Sequence, residues 1–556
     1  MTLDGLWDFT AESAGDHVKP PKTYTRQLGV PGAWETCPGL ENFRGQGWYR
    51  TSIAVPECAA LRLVFGGVSH TGTVFLDGTE IGTHYDAFTP WDLVQAGVAP
   101  GEHELAIRVD NTFGKHSALH IENDYYTYGG ITRPVALEAV PAVFIEKIFA
   151  VPEPTGATWD LGVRVRISNV TDSKQTRQLT LDVGEHVLDL GEVTVAPNDV
   201  AEVTGRLCEL DVTPWTADTP QLYGLTAILH QDGVPVDDLI DRVGFREIRV
   251  DGKALLLNGE PIRLRGYNRH EDHPQFGNAL PVQALLTDLQ IMRDLGCNFV
   301  RTCHYPNDMR FLDLCDELGF YVWEESHART VDFSHPRFRD QIETSTTEML
   351  EWHWNHPAII TWGCLNECES HTESGKAEHA RVLKQIKETD PSRPITFASN
   401  RQQKDLCLGL VDIVSWNHYV GWYGGGIDAI EGHLADMLAW LHSDESHGGA
   451  GKPVILSEFG AGAIYGNRQR CRAKWSEEYQ ADLLDESLRV YLNHPDVIGV
   501  AIWQFCDVRI TKNWQWSGRP RTMNNKGTVD EHRRPKLCAD VVKQRMAESA
   551  EQKAED

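Results

Sequence analysis

The sequence predicts a multidomain chain of two β-sandwiches followed by a (β/α)8 TIM barrel. Three observations carry this. A length of 556 residues exceeds what one hydrophobic core serves. Up to about residue 245 the chain reads as short alternating runs closed by Gly, Asp or Asn. From about residue 260 it changes to strand, helix, strand, helix, with eight short apolar runs.

In order, LRLVFGG, GTVFLDG and HELAIRVDN belong to a first sandwich, expected over 1–141. ITRPVALEAVPAVFIEKIFA crosses to a second, expected over 142–247, where DLGVRVRISN, QLTLDVGE, AEVTGRL and YGLTAILHQDG alternate. The barrel is expected over 248–556. Its runs are IRLRGYN (262–268), FVRTCH (299–304), YVWEES (321–326), IITWGCLNE (359–367), ITFAS (395–399), IVSWNHY (413–419), PVILSEFG (453–460) and GVAIWQFCD (499–507). Helical patterns such as VQALLTDLQIMRDLG and MRFLDLCDELG lie between most of them.

Composition narrows the function. Net charge is -28, which argues against nucleic acid and requires any acidic ligand to find a local positive spot. MTLDGLWDFT shows neither a basic n-region nor an apolar h-region, and no apolar stretch is long enough for a membrane span. The twelve cysteines are scattered without a CxxC pair, so reduced thiols in a cytoplasmic protein are expected. HEDHP has two histidines, but neither spacing nor partners make a zinc site, and no set of hard-cation ligands stands out; no metal or cofactor is expected.

Each barrel run is apolar first and ends in a polar residue, as strands feeding an active face do. Glu367 ends the fourth run and Glu458 sits late in the seventh, so the two face each other across the ring. A carboxylate at a buried strand end is costly unless something uses it. Glycoside hydrolysis needs two opposed carboxylates: one protonates the leaving oxygen, the other attacks the anomeric carbon or activates water. One such Glu alone is equally a surface residue or half of an ion pair; two, each after an apolar run and beside aromatics, point to catalysis. Trp362, Trp416, Tyr419, Trp422, Tyr423, Trp503 and Phe505 offer flat surface for a sugar ring.

GYNRHEDHP, NFVRTCHYPNDMRFLDLCDELGFYVWEE, WGCLNECES, VILSEFGA and, near the N-terminus, FGGVSHTGTVFLDGTEIGTHYDAFTPW follow one another in the order of one family. Over nearly its whole length the chain resembles glycoside hydrolase family 2, of the β-glucuronidase branch. The resemblance implies a sugar-binding-like jelly-roll sandwich, an immunoglobulin-like sandwich and a catalytic barrel, often as a homo-oligomer. It implies a retaining exo-β-glycosidase with Glu367 as acid/base, Glu458 as nucleophile and Asn366 on the sugar 2-hydroxyl. Glu367 then starts protonated, its pKa raised, and Glu458 starts ionised, held down by hydrogen bonds.

TMNNKGTVDEHRRPK addresses which sugar. Asn524 and Lys526 match an Asn-x-Lys motif with which β-glucuronidases grip the sugar carboxylate; an ammonium and an amide both donate to it. The plain alternative is a surface turn. The resemblance also puts His304, Tyr419 and Tyr423 around the sugar, Trp503 beneath it, and Glu325, Arg269 and His270 behind. Asp124 either accepts from a sugar hydroxyl or closes an Asx turn. The stretch RITKNWQWSGRPRTM is longer than in glucuronidases, so the arginine beside the motif is Arg519 or Arg521. The segment SHARTVDFSHPRF is short, implying an open mouth and larger leaving groups such as oligosaccharides. Within it, Arg329 either reaches an axial O4, which favours β-galacturonides over β-glucuronides, or is a solvated loop residue. The rival readings are a family 2 β-galactosidase for neutral sugars and a non-catalytic carbohydrate-binding protein.

Overall fold

A computed structural model describes residues 1–12, 18–511 and 518–555. The chain forms two compact units. The first holds residues 1–112, 128–247 and 348–357. The second holds 113–127, 248–347 and 358–556.

The first unit contains both sandwiches. In one, a six-stranded antiparallel sheet runs Arg26–Val30, Gly5–Glu12, Gln46–Val55, Gly101–Asp110, Thr71–Leu76 and Thr79–Tyr85, and a three-stranded sheet runs Val135–Val140, Ala60–Phe65 and Trp91–Ala96. Alternate residues of both sheets, among them Trp7, Phe9, Leu61, Leu63, Phe65 and Ile107, form one apolar core. The other has three strands (Val143–Thr155, Thr158–Asn169, Asp199–Leu210) and four (His186–Val195, Gln175–Val183, Tyr223–Gln231, Val234–Val243), seven in all, as in an immunoglobulin-like sandwich. Val163, Val165 and Ile167 point into its core while Arg164 and Arg166 point out.

The second unit is the barrel. Its strands are β1 (Leu264–Asn268), β2 (Phe299–Thr302), β3 (Tyr321–Glu325), β4 (Ile359–Gly363), β5 (Ile395–Thr396), β6 (Ala398–Ser399), β7 (Val414–Asn417), β8 (Val454–Phe459) and β9 (Val497–Ile502). All pair in parallel, in the order β5-β4-β3-β2-β1-β9-β8-β7-β6. The eight apolar runs are all present; the fifth is split at Phe397, and the ring is open at that one residue. Helices α1 (Val282–Asp294), α2 (Met309–Leu318), α3 (Phe338–Trp352), α4 (Glu373–Thr389), α5 (Ile430–Ser443) and α6 (Glu477–Leu492) follow strands, and α7 (Cys538–Glu555) ends the described chain. On α1, Leu285, Leu289 and Met292 recur at helical spacing on the buried face. The Asp308 side chain caps α2 at its start, and Gly319, at φ 71°, ends it in the left-handed conformation.

Asp124, expected to reach the barrel mouth from the stretch 1–141, lies in segment 113–127, which packs in the barrel's unit. One sequence expectation changes here: the run IITWGCLNE overshoots its strand, because β4 stops at Gly363. A side chain at Gly363 would meet Trp323 Nε1 at 2.1 Å, so glycine lets that indole lie under the strand end. Among the described residues no helix is long and apolar enough to cross a membrane, and the twelve cysteines are all free.

Candidate active site

The site is built outward from Arg301, in the middle of β2 and fully buried. A buried guanidinium requires a partner for each donor. Its Nε and Nη2 fork onto Glu325 at 2.8–3.1 Å, and Nη1 reaches Asn268 Oδ1 at 2.8 Å. The remaining donors hold two predicted residues: Glu458 Oε1 at 3.0 Å and Asn366 Oδ1 at 2.7 Å. The group also lies 4.7 Å over the Trp323 ring. One cation thus fixes a carboxylate on β8 and an amide beyond β4.

Asn366 and Glu367 lie in the loop after β4, where Leu365 and Glu367 take positive φ, 49° and 51°. Side-chain-bearing residues seldom adopt this without support. The backbone supplies it: Asn366 N–H donates to Ala328 O at 2.9 Å, and Glu367 N–H to Ala398 O at 3.0 Å. The Glu367 carboxylate is aimed by Asn417. Ser457 donates to Asn417 Oδ1, leaving Asn417 Nδ2 to donate to Glu367 Oε1, each at 2.8 Å. Arg329 Nη2 approaches Glu367 Oε2 at 3.4 Å, and its Nη1 is bound to Asn123.

Glu458 accepts from Arg301 and, at 2.9 Å, from the Tyr419 hydroxyl. Its pKa was expected to be held down. Instead burial, and next the Glu367 carboxylate, push it up to about 7 against the pull of Arg301 and Arg329. Burial likewise raises Glu325 to about 7 against Arg301.

These residues open into a cavity of about 920 Å³. Of the residues predicted from sequence, Glu367, Glu458, Lys526, Tyr419, Tyr423, Trp503, Asp124 and Arg329 line it. Asn366, Asn524 and His304 are not among its lining residues. His304 stacks on Trp503 at 5.1 Å, so the indole and not the imidazole forms the lining. Its Nδ1 lies 3.0 Å from Glu325, and burial and Arg301 keep the ring neutral. Asn524 was expected to donate to a sugar carboxylate; here its Nδ2 donates to Asp124 Oδ2 at 3.2 Å. Among the described residues, Asn366 Nδ2 and Asp124 Oδ1 are buried without a partner. His270 lies behind with Glu325, 3.2 Å from the Tyr305 hydroxyl, but Arg269 serves the fold, pairing with Asp288 of α1.

At one end Lys526 is 1% exposed, donates to the Tyr423 hydroxyl at 2.6 Å, and lies 4.9 Å over the Tyr419 ring. Burial lowers its pKa. Among the described residues no carboxylate pairs with it. Tyr423 is 63% exposed; burial of its hydroxyl end is outweighed by Lys526 and Arg519, which lower its pKa. The choice between the two arginines resolves to Arg519, which lines the cavity and pairs with Asp124; Arg521 pairs with Glu531 and its side chain is 41% exposed. Residues 512–517 of the long stretch before them lie outside the described residues.

Three aromatics stand away from the lining: Trp362 is fully buried with its indole N–H on Asp390, and Trp416 and Phe505 are also fully buried. Trp422 packs edge-on to Trp475 at 5.0 Å and faces Lys526, whose Nζ lies 5.9 Å from its ring. Arg301 and Asn417 were the functional residues missed. The available signal was a charged residue inside FVRT, a run otherwise fit for the core. Replacing Arg301 by lysine keeps charge but loses the fork. We expect kcat to fall about 100-fold with KM little changed, measured by steady-state kinetics on a folded variant.

Opposed carboxylates under an aromatic-walled cavity, at the carboxyl ends of barrel strands, are the equipment of a glycoside hydrolase. The profiles of glycosyl hydrolases family 2 match in sequence: the sugar binding domain over 23–141, the family 2 domain over 143–246 and the TIM barrel domain over 248–550. The chain belongs to glycosyl hydrolases family 2. It is similar to a crystal structure of a family 2 β-galacturonidase from Eisenbergiella tayi bound to galacturonate, with 41% identity, TM-score 0.92, and coverage of 99% of this chain and 97% of that one. The Homo sapiens β-glucuronidase is 28% identical over 98% of this chain and 90% of its own. A putative β-glucuronidase of Formosa agariphila is 27% identical over 93% of this chain, which spans 66% of that protein's length.

Proposed function

We propose that the chain is a retaining exo-β-uronidase that removes terminal β-D-galacturonosyl residues, with β-D-glucuronosyl residues as poorer substrates. The observation that carries this is Lys526. A buried ammonium without an acid partner is costly, and a sugar carboxylate between Lys526, Arg519 and the Tyr423 hydroxyl would supply the missing charge. It would also be the local positive spot that a net charge of -28 demands. A neutral hexose offers no such compensation.

With the carboxylate there, the ring rests on Trp503, and Asn366 Nδ2 and Asp124 Oδ1 meet hydroxyls. Glu367 protonates the leaving oxygen. Glu458 attacks the anomeric carbon, giving a glycosyl-enzyme that water, deprotonated by Glu367, then hydrolyses. Arg329, held by Asn123 beside Glu367, reaches an axial O4, and the galacturonate-bound relative at 41% identity supports the same preference. The free cysteines fit a reducing compartment such as the cytoplasm.

The test is release of 4-nitrophenol from the β-galacturonide, β-glucuronide, β-galactoside and β-glucoside side by side. Both uronides are expected to exceed both neutral sugars, the galacturonide leading. Arg329→Ala is expected to lower the galacturonide-to-glucuronide ratio; an unchanged ratio removes Arg329 from C4 selection, and a faster neutral sugar refutes the uronide reading.

Glu367→Gln tests the proton assignment. General acid help is worth about 10²- to 10⁴-fold. The loss is expected to be large on a disaccharide and much smaller on 4-nitrophenyl uronide, whose leaving group needs little protonation. The sign of the pH effect also follows. Activity requires ionised Glu458 and is lost as pH falls through its pKa. Because the acting acid is the protonated, uncharged Glu367, the equally neutral glutamine is expected to leave the acid limb of kcat/KM in place; a limb that moves to lower pH would mean that Glu367 is ionised in the active form.

A further inference from the structure

We propose that the leaving-group side of the cavity is a subsite for an anionic saccharide, with Arg401 as its cation. This rests on the uronidase reading and adds the chemistry of the group released. Glu367 fixes which side that is, because the acid that protonates the glycosidic oxygen stands beside the departing group. Its backbone N–H is bonded to Ala398 on β6, and the chain leaving β6 runs straight into the wall as Asn400, Arg401 and Gln402.

Three arginines line the cavity. Arg329 approaches Glu367, and Arg519 is paired with Asp124. Arg401 is half-buried; among the described residues its buried Nε has no partner and no carboxylate pairs with it. Acids outnumber Lys and Arg in this chain by 80 to 52, so an arginine left without one beside a pocket is set apart from its surroundings.

The nearest acid in sequence is already committed. Asp405 accepts from the Ser370 hydroxyl at 2.7 Å, from the Ser399 hydroxyl, and from Cys407 N–H at 2.7 Å. Those bonds hold the loop's shape, with Arg401 N–H on Ser399 Oγ at 3.1 Å and Gln402 at φ 51°. The guanidinium is therefore presented by a braced loop. A planar fork with open donors binds a carboxylate or a sulfate two-pronged. Asn400 and Gln402, which line the cavity with His433, are neutral hydrogen-bonding groups suited to the hydroxyls of the same sugar.

The test uses the full chain and four β-galacturonosides. The leaving groups are galacturonic acid, a galactose sulfate, galactose and 4-nitrophenol. The wild type is expected to favour at least one acidic saccharide over galactose in kcat/KM. Arg401→Gln is expected to reduce that preference about 10- to 100-fold, mainly through KM, and Arg401→Lys to keep part of it. Whether the uronic acid or the sulfate is favoured identifies the anion. Equal rates on neutral and acidic saccharides, or an Arg401→Gln loss of the same size on all four substrates, would overturn the subsite. Wild-type failure on 4-nitrophenyl galacturonide and glucuronide alike would instead overturn the uronidase reading and this inference with it.

Discussion

Glu458→Ala is expected to lower kcat by about 10⁴-fold or more on every substrate, because removal of one member of a catalytic unit costs nearly the whole unit. The fold is expected to survive. Arg301 keeps its fork on Glu325, and a carboxylate pushed up to about 7 by burial is not what holds β8 in its sheet. A second outcome separates a nucleophile from a structural acid. Azide enters the space the side chain leaves and attacks the same face of the anomeric carbon. With 4-nitrophenyl galacturonide it restores nitrophenol release and yields the α-galacturonosyl azide. Rescue without the azide adduct, or activity near wild type, would remove Glu458 from the nucleophile's role.

Lys526→Ala carries the second large effect. Truncating one partner of a buried, hydrogen-bonded charge pair costs about 2–5 kcal/mol, so kcat/KM for uronides is expected to fall by about 30- to 5000-fold. Turnover of the neutral β-galactoside, which makes no use of the ammonium, is expected to change little. The preference for uronides over hexosides then collapses, and that ratio is the quantity to measure. A uniform loss on all substrates would mean that Lys526 serves the packing of Tyr419 and Tyr423, over whose rings it lies at 4.9 and 4.6 Å.

The barrel was legible because each strand is a short apolar run bounded by turn residues, and such runs need only be counted. The two carboxylates were legible for the opposite reason: Glu367 and Glu458 break apolar runs where a charge is costly. What stayed hidden has physical causes. Strands of a parallel barrel are buried on both faces, so apolarity does not say which way a side chain points. Trp362 and Trp416 thus read in sequence as sugar platforms although both lie in the core. The end of β4 was misplaced because positive φ at Leu365 and Glu367 carries no glycine to announce it. Arg301 is not legible as the centre of the site, since a single arginine in the run FVRT does not reveal how many partners converge on it. The bond from Asn524 to Asp124 also stayed hidden, a pairing of a kind that one sequence does not encode locally.

The central claim is that Glu458 attacks a uronide held by its carboxylate. Incubating the wild-type chain with 2-deoxy-2-fluoro-β-D-galacturonosyl fluoride tests it most directly, because the fluorine slows breakdown of the covalent intermediate. Intact mass spectrometry is expected to show one fluorouronosyl group per chain, mapped by peptide sequencing to Glu458, and the neutral fluorogalactosyl fluoride is expected to label far more slowly. An adduct on another residue, or faster labelling by the neutral sugar, would contradict the account.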